Sequence, residues 1–283
     1  MVEVSVGCTW EEAVQWLREQ SDQQELVHNC FYDDPIEGAA ERFYQTTEWQ
    51  ETQELLKSHL PGRVLDIGAG RGIAAFAFAR GGSQVTALEP DPSSLVGRGA
   101  INELCRRTGV KIDCVEGYGE GLPFLDGSFD VVYGRAVLHH ARELPSLIRE
   151  VARVLRPKGR ALFTREHVIS RVEDLPMFLE AHALHKFYGG EHAYLLSEYR
   201  SALTEAGIGL CCELGPFECV INYWPNTNRQ IQQVVYQHVR RRVGGPLARL
   251  LLKNKNFLTL SQRWLSRKSN TPGRLFTFLG EKI

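Results

Sequence analysis

The 283 residues are 43% apolar and 24% charged, enough to bury a full core in one domain of generous size. The net charge of -1 hides an asymmetry: residues 1–60 hold thirteen Asp/Glu against three Lys/Arg, while residues 219–280 hold eleven Lys/Arg and no acid. Seven cysteines without CxxC spacing, no signal-peptide pattern and no run of eighteen apolar residues argue against a disulfide scaffold and a membrane span, and a reducing cytoplasm is expected.

In chain order, "TWEEAVQWLREQ" places Trp10, Val14 and Leu17 on one helical face. "AERFYQTTEWQETQELLKSHL" reads as a longer amphipathic helix stopped by Pro61-Gly62, so residues 1–60 form a helical cover. Alternation then begins. The strands are "RVLDIG", "QVTALEP", "KIDCVEG", "FDVVYGR" and "GRALFTRE", the last ending on Arg165, Glu166 and His167. The helices between them are "GIAAFAFARGG", "SSLVGRGAINELCRRTG" and "LPSLIREVARVL", the last stopped by "RPKG". Such alternation predicts an α/β fold with a mostly parallel sheet and helices on both faces. Residues 170–194 interrupt it as a His- and aromatic-rich insertion. The helix "SEYRSALTEAG" and the strand "LCCELGPFECVIN" resume it, and "GRLFTFLGEK" suits an antiparallel strand at the sheet edge. The expected divisions are a core over 61–224, a basic helical insertion over 225–272 and a final strand over 273–283.

Ligands of such sheets bind beyond the carboxyl ends of the strands. There "VLDIGAGRG" holds Asp66, Gly68, Gly70 and Gly72, glycines that permit a tight turn and a close backbone approach at a helix start. The acid two residues before the first glycine does not match the dinucleotide fingerprint. Glu89 ends the next strand, where a carboxylate can accept both hydroxyls of a ribose. Asp130 lies inside an apolar strand and needs partners.

The glycine loop, Glu89, "LPF", "FDVV…VLHH" and "LRPKGRALF" occur in an order and spacing that resembles the class I S-adenosylmethionine-dependent methyltransferases over residues 61–165. The resemblance implies a Rossmann-like seven-stranded sheet whose last strand is antiparallel, with helical insertions after strands 5 and 6. It implies S-adenosyl-L-methionine as cofactor and S-adenosyl-L-homocysteine as product. Asp66 would order the glycine loop near the methionine amino group, Gly68 and Gly70 pass under the cofactor, and Glu89 takes the ribose. Pro90 and Asp91 would flank the adenine, Arg135 would lie near the methionine moiety, and Leu138 and His139 would begin the following helix. Where many relatives carry Gly-Asp-Ala-Glu before "LPF", this chain has Gly117, Tyr118, Gly119 and Glu120. Adenine is then expected on backbone groups, stacking or Glu120. Arg42 and Tyr44 are expected to close the site from the cover.

Six of nine histidines fall between 139 and 192. His167, His139 or His140 is a candidate general base, with Arg165 and Glu166 orienting it or binding the acceptor. The same residues also read as a structural ion pair closing a lid. His182, His185 and Tyr188 are candidate substrate contacts, with Gly189-Gly190 as a lid hinge. A third reading groups His182 and His185 with His167 or Glu191 about a divalent metal, although spacing fixes no third ligand, and no metal is assigned. The expected reaction is methylation of oxygen or nitrogen on a small molecule. The alternatives are a glycan, lipid-linked or other anionic acceptor, or a membrane surface, met by the basic segment, and a non-catalytic cofactor-binding protein. Nucleic acid is not expected.

Overall fold

The computed structural model describes residues 8–181, 184 and 191–283. The expectations for His182, His185, Tyr188 and the Gly189-Gly190 hinge lie outside the described residues. The strands are β1 (Arg63–Ile67), β2 (Gln84–Leu88), β3 (Asp113–Val115), β4 (Phe129–Arg135), β5 (Leu155–Ile169), β6 (Tyr194–Leu195), β7 (Ile208–Leu214) and β8 (Arg274–Lys282). They form one sheet in the order β3-β2-β1-β4-β5-β8-β7, with the two-residue β6 added beside the end of β5. β1 to β5 are mutually parallel and β8 is antiparallel to both its neighbours. The mostly parallel α/β sheet is therefore as expected from the sequence. The last strand is not at the edge, however: β8 lies between β5 and β7, because its apolar run Phe276–Leu279 is buried and needs cover on both sides.

One apolar layer packs Leu147, Ile148 and Val151 of the helix Leu144–Val154 and Tyr199 of the helix Leu196–Glu205 on one face of the sheet. The other packs Phe78 of the helix Ile73–Arg80 with Phe43 and Trp49 of the cover. Strand residues are buried on both faces, so they read as continuous apolar runs. Asp130, the exception in β4, accepts the Arg63 backbone N–H at 2.6 Å and pairs with Arg156 at 2.9 Å.

Four local expectations are corrected. The cover's long helix is two helices, Ile36–Tyr44 and Thr47–Leu56, because the Thr46 hydroxyl caps the second by accepting the Trp49 N–H at 3.1 Å. Leu138–His140 form an isolated 3₁₀ turn, and the next helix starts only at Leu144, with Pro145 in its first turn. The strand read through "LCCELGPFECVIN" ends at Leu214, and Val220–Tyr223 are helical; Asn222 Nδ2 donates to the Leu214 and Gly215 carbonyls and holds that corner.

The fourth concerns "TREHVIS", which ends no strand. β5 runs on to Ile169, but its register with β8 shifts between Phe163 and Glu166, and Arg165 takes φ 60°. A bulge re-aims side chains without ending the ladder. The basic segment folds as the helices Asn228–Val243, Gly245–Leu252 and Lys255–Lys268, joined through Ile231, Val235 and Leu265 to Val220 and Tyr223.

Candidate active site

Gly68, Gly70 and Gly72 all take positive φ between the end of β1 and the next helix. At Gly68 (φ 61°) a Cβ would stand 2.5 Å from Val137 Cγ2, so backbone shape and space both demand glycine. Glu89 follows β2 and accepts N–H groups from Gly70 (2.7 Å) and Asp91 (3.0 Å), which fixes its carboxylate beneath the loop. Burial raises its pKa. Asp66 is 2% exposed, and its Oδ2 has no hydrogen-bond partner among the described residues. Burial, then the neighbouring Glu89 charge, push its pKa from 3.8 to about 8. A buried carboxyl with an orphaned oxygen beside a glycine loop is suited to a cationic ligand group such as an α-ammonium.

Pro90 and Asp91 follow Glu89, and Asp91 Oδ1 accepts the Ser93 N–H at 2.8 Å. The loop carrying Tyr118, Gly119 and Glu120 runs beside this end of the sheet. Tyr118 is exposed, with the Arg142 guanidinium 5.2 Å above its ring. Glu120 accepts the Arg142 N–H at 2.8 Å, so it ties that loop to the segment after His140. A Cβ on Gly119 would lie 2.7 Å from Leu147, which lets the loop pack directly on the core.

Three residues expected near the cofactor are tied to the cover. Arg135 makes a two-point pair with buried Glu48 of the cover (2.7 and 3.2 Å) and stacks over Phe31 and Phe43. Arg42 is engaged by Asp33 and by the His28 carbonyl. Tyr44 packs against Trp49, under the Arg80 guanidinium. The contact that fastens the cover to the glycine loop comes instead from Arg71, which donates to the Phe31 and Asp33 carbonyls (2.8 and 2.9 Å) and pairs with Asp34 at 2.6 Å. Arg71 occupies an unspecified position inside the glycine motif, and only its charge could have drawn notice.

The residues expected on the acceptor side gather at the ends of β4 and β5. The bulge separates the polar trio. Arg165 turns to the Ile221 and Trp224 carbonyls (2.8 and 3.2 Å), with Glu48 at 4.0 Å. Glu166, wholly buried, accepts the Val137 and His139 N–H groups at 3.0 and 3.2 Å and faces His139 Nδ1 at 2.8 Å. Burial pushes its pKa up to about 7. His167 Nδ1 is 2.9 Å from the Gly273 carbonyl and donates to it. Burial, and then the neighbouring His139, hold His167 well below its usual range, which keeps it neutral. Its ring lies edge-on 4.6 Å from that of His139, and the His140 ring lies 4.3 Å from His139, tilted by 42°. Glu191 approaches both, 3.7 Å from His139 Nε2 and 3.8 Å from His140 Nε2, and burial raises its pKa to about 8.

Thus His139, His140, Glu166 and His167 do converge, with His139 rather than His167 the imidazole that Glu166 orients. Trp10, which the sequence places on the apolar face of the first helix, and Tyr32, which no sequence pattern marks, cover this cluster from the N-terminal side: Trp10 lies 6.2 Å from Tyr32 and 6.4 Å from His140.

The profile of the family described as "Methyltransferase domain" matches residues 65–163. A glycine/sarcosine/dimethylglycine N-methyltransferase of Actinopolyspora halophila is 40% identical over 105 residues. That is 36% of this chain and 18% of the relative, so the chain spans well under half of that protein's length. A crystal structure of a putative sarcosine dimethylglycine methyltransferase from Galdieria sulphuraria aligns over 99% of this chain and 93% of its own, at 19% identity and TM-score 0.55. A geranyl diphosphate methyltransferase solved in complex with SAM aligns over 99% and 98%, at 13% identity and TM-score 0.56. The matched segment contains the glycine loop, Glu89 and the ends of β1, β2 and β4, in the strand order just described. Residues 65–163 are therefore a methyltransferase domain, set in a sheet of the Rossmann-like class I order.

Proposed function

We propose that this chain transfers a methyl group from S-adenosylmethionine to an oxygen or nitrogen of a small-molecule acceptor. The observation that carries the reading is the pairing of two sites at the carboxyl ends of the strands. The glycine loop with orphaned Asp66 and clamped Glu89 stands at β1 and β2, and the oriented histidine cluster at β4 and β5. When bound, the cofactor supplies an electrophilic methyl group. Asp66, Gly68, Gly70 and Glu89 would hold it, the carboxylates meeting cationic and hydroxyl groups and the glycines admitting its close approach. Glu166 fixes His139 by accepting its Nδ1–H, which leaves Nε2 as the basic atom of the neutral ring, aimed at the space near Glu191. That ring can take a proton from an acceptor hydroxyl or ammonium. Trp10 and Tyr32 exclude water from the same side. The family match ends at residue 163, so it includes His139 and His140 but not Glu166, His167 or Glu191, and the acceptor is argued from this cluster alone.

Calorimetry tests the cofactor site. S-adenosylmethionine and S-adenosylhomocysteine are each expected to bind, and Glu89→Ala to bind measurably more weakly; failure of both ligands, or an unchanged Glu89→Ala affinity, removes the reading. Asp66 adds a pH signature. Its raised pKa means the folded, ligand-free protein holds a proton at pH 7 that the unfolded chain has released, so its contribution to stability is lost as pH rises toward 8. An ammonium beside it favours the ionised form, so cofactor binding at pH 7 is expected to release a proton and to tighten as pH rises to about 8. Titrations in two buffers of different ionisation enthalpy read that proton directly.

A second reading, an anionic or lipid-linked acceptor, is favoured by the basic helices. Leu250 and Leu260 are more than 60% exposed there and Trp264 is 40% exposed, with Arg242 stacked 4.4 Å above its ring. Apolar and cationic side chains on one surface suit an interface of anionic headgroups. Salt-sensitive co-sedimentation with phosphatidylserine vesicles, reduced by Leu250→Glu, is the expected result on that reading; indifference to the vesicles removes it.

A further inference from the structure

The acceptor-side cluster has a geometry that a proton relay does not require. His139 Nε2, His140 Nε2 and a Glu191 oxygen point into one space, with their ligand atoms all within 4.8 Å of one another. Glu191 stands 3.7 and 3.8 Å from the two imidazole nitrogens, beyond the length of a good hydrogen bond. Ligand atoms about 2.0–2.2 Å from a shared cation lie roughly 3–4 Å apart. Glu191 Oε2 is 3.7 Å from His139 Nε2 and Oε1 is 3.8 Å from His140 Nε2, within reach of that spacing after a small adjustment.

The surrounding groups support the same arrangement. Glu166 faces His139 Nδ1 at 2.8 Å and is itself held by two backbone N–H groups. A carboxylate that takes the Nδ1 proton turns the Nε2 lone pair outward and fixes the ring plane, as at the imidazole ligands of metal sites. The 3₁₀ turn Leu138–His140 places the two histidines side by side, and the antiparallel pairing of β5 with β8 anchors Glu166 below them. Glu191 arrives from a separate stretch of chain just before β6, so three ligands come from two distant segments onto one point. A two-nitrogen, one-carboxylate set suits a first-row divalent transition ion better than magnesium or calcium, which prefer oxygen.

We propose that His139, His140 and Glu191 bind one divalent transition-metal ion, with Glu166 as the positioning residue for His139. Three protein ligands leave further coordination positions, directed toward the space beneath Trp10 and Tyr32. An oxygen or nitrogen donor of the acceptor would fill one of them, a role that rests on the methyl-transfer reading, whereas binding of the ion does not. With the ion bound, His139 Nε2 is a ligand and not the base, and the ion itself would lower the donor's proton affinity.

The probe is cobalt(II) chloride added to the purified full-length chain, with zinc as competitor. The expected result is one equivalent bound, with visible d–d absorption, no thiolate-to-cobalt charge-transfer band and displacement by zinc. Glu191→Gln and His140→Ala are each expected to abolish that spectrum. Glu166→Gln should weaken cobalt binding by about 10- to 100-fold while keeping a weaker version of the same bands. Absence of a stoichiometric site overturns the proposal, as does a charge-transfer band from the cysteines, or variants that bind cobalt like the parent chain. His140 is 31% exposed, so its alanine variant tests the site with little burden on folding. S-adenosylhomocysteine calorimetry on the same samples separates the two readings. Cobalt bound without the nucleoside product leaves the metal site standing and removes the methyl-transfer reading; the reverse pattern removes only the metal.

Discussion

Replacing Glu48 by glutamine is expected to destabilise the fold by about 3–5 kcal/mol, the cost of leaving a buried charge without its partner. Glu48 is wholly buried in the cover helix Thr47–Leu56, and its carboxylate answers two arginines on the sheet. Arg135 bonds both its oxygens, and Arg165 lies 4.0 Å from one of them. Burial pulls Arg165 below its usual range, while the Glu48 carboxylate keeps Arg135 strongly protonated. With an amide in its place, two guanidinium groups would face each other in a dry interface. Urea denaturation gives the measurement: the midpoint should fall steeply with little change in slope. The double variant Glu48→Gln with Arg135→Met should recover part of the loss, because only one buried cation then remains. A loss under about 1 kcal/mol, the range of exposed pairs, would show that water reaches this contact.

The second large effect falls on the cofactor. Gly68→Ala places a Cβ at φ 61° and 2.5 Å from Val137 Cγ2. Backbone strain of about 1–3 kcal/mol and a clash of similar size both act on the shape that the loop needs. Cofactor affinity should therefore fall by at least about thirtyfold. Gly109→Ala supplies the control, since Gly109 has φ 73° but nothing within 4 Å of its added Cβ, at the far end of the helix Arg98–Thr108. That variant should lose some stability and keep its affinity. If Gly68→Ala binds S-adenosylhomocysteine like the parent, the loop is not the cofactor's seat.

The two halves of the site differ in how far the sequence discloses them, for a physical reason. The cofactor half is built from neighbours in sequence: a strand, three glycines and a helix, then a carboxylate closing the next strand. Local sterics demand these residue types, so Gly68 and Glu89 announce themselves. The acceptor half is assembled by tertiary contacts. Glu166 meets His139 across 27 residues, and His167 meets the Gly273 carbonyl across 106. Reading "TREHVIS" as a strand end kept its three polar side chains together. One bulge parts them, and no propensity signals a bulge at an arginine. In the sequence Glu48 is one acid of an amphipathic segment, and only the docking of that helix on β4 shows that it is buried. Arg42 and Tyr44 were reasonable choices from charge and position, yet Arg71 inside the glycine motif makes the tie between cover and loop.

Arg165 carries a further consequence. Left-handed backbone is unfavourable for a side chain of this size, so the bend in β5 stores free energy of about 1–3 kcal/mol. Glycine would relieve it, but glycine cannot reach the Ile221 and Trp224 carbonyls or the Glu48 carboxylate. The strained residue thus joins three stretches of chain: the cover, the sheet, and the corner from which the basic helices depart. Substitutions in those three stretches should be non-additive, with interaction energies in double-mutant cycles that vanish once Arg165 is removed. In energetic terms, the cover and the basic segment are neighbours through one arginine, although 164 residues of sequence lie between residue 60 and residue 225.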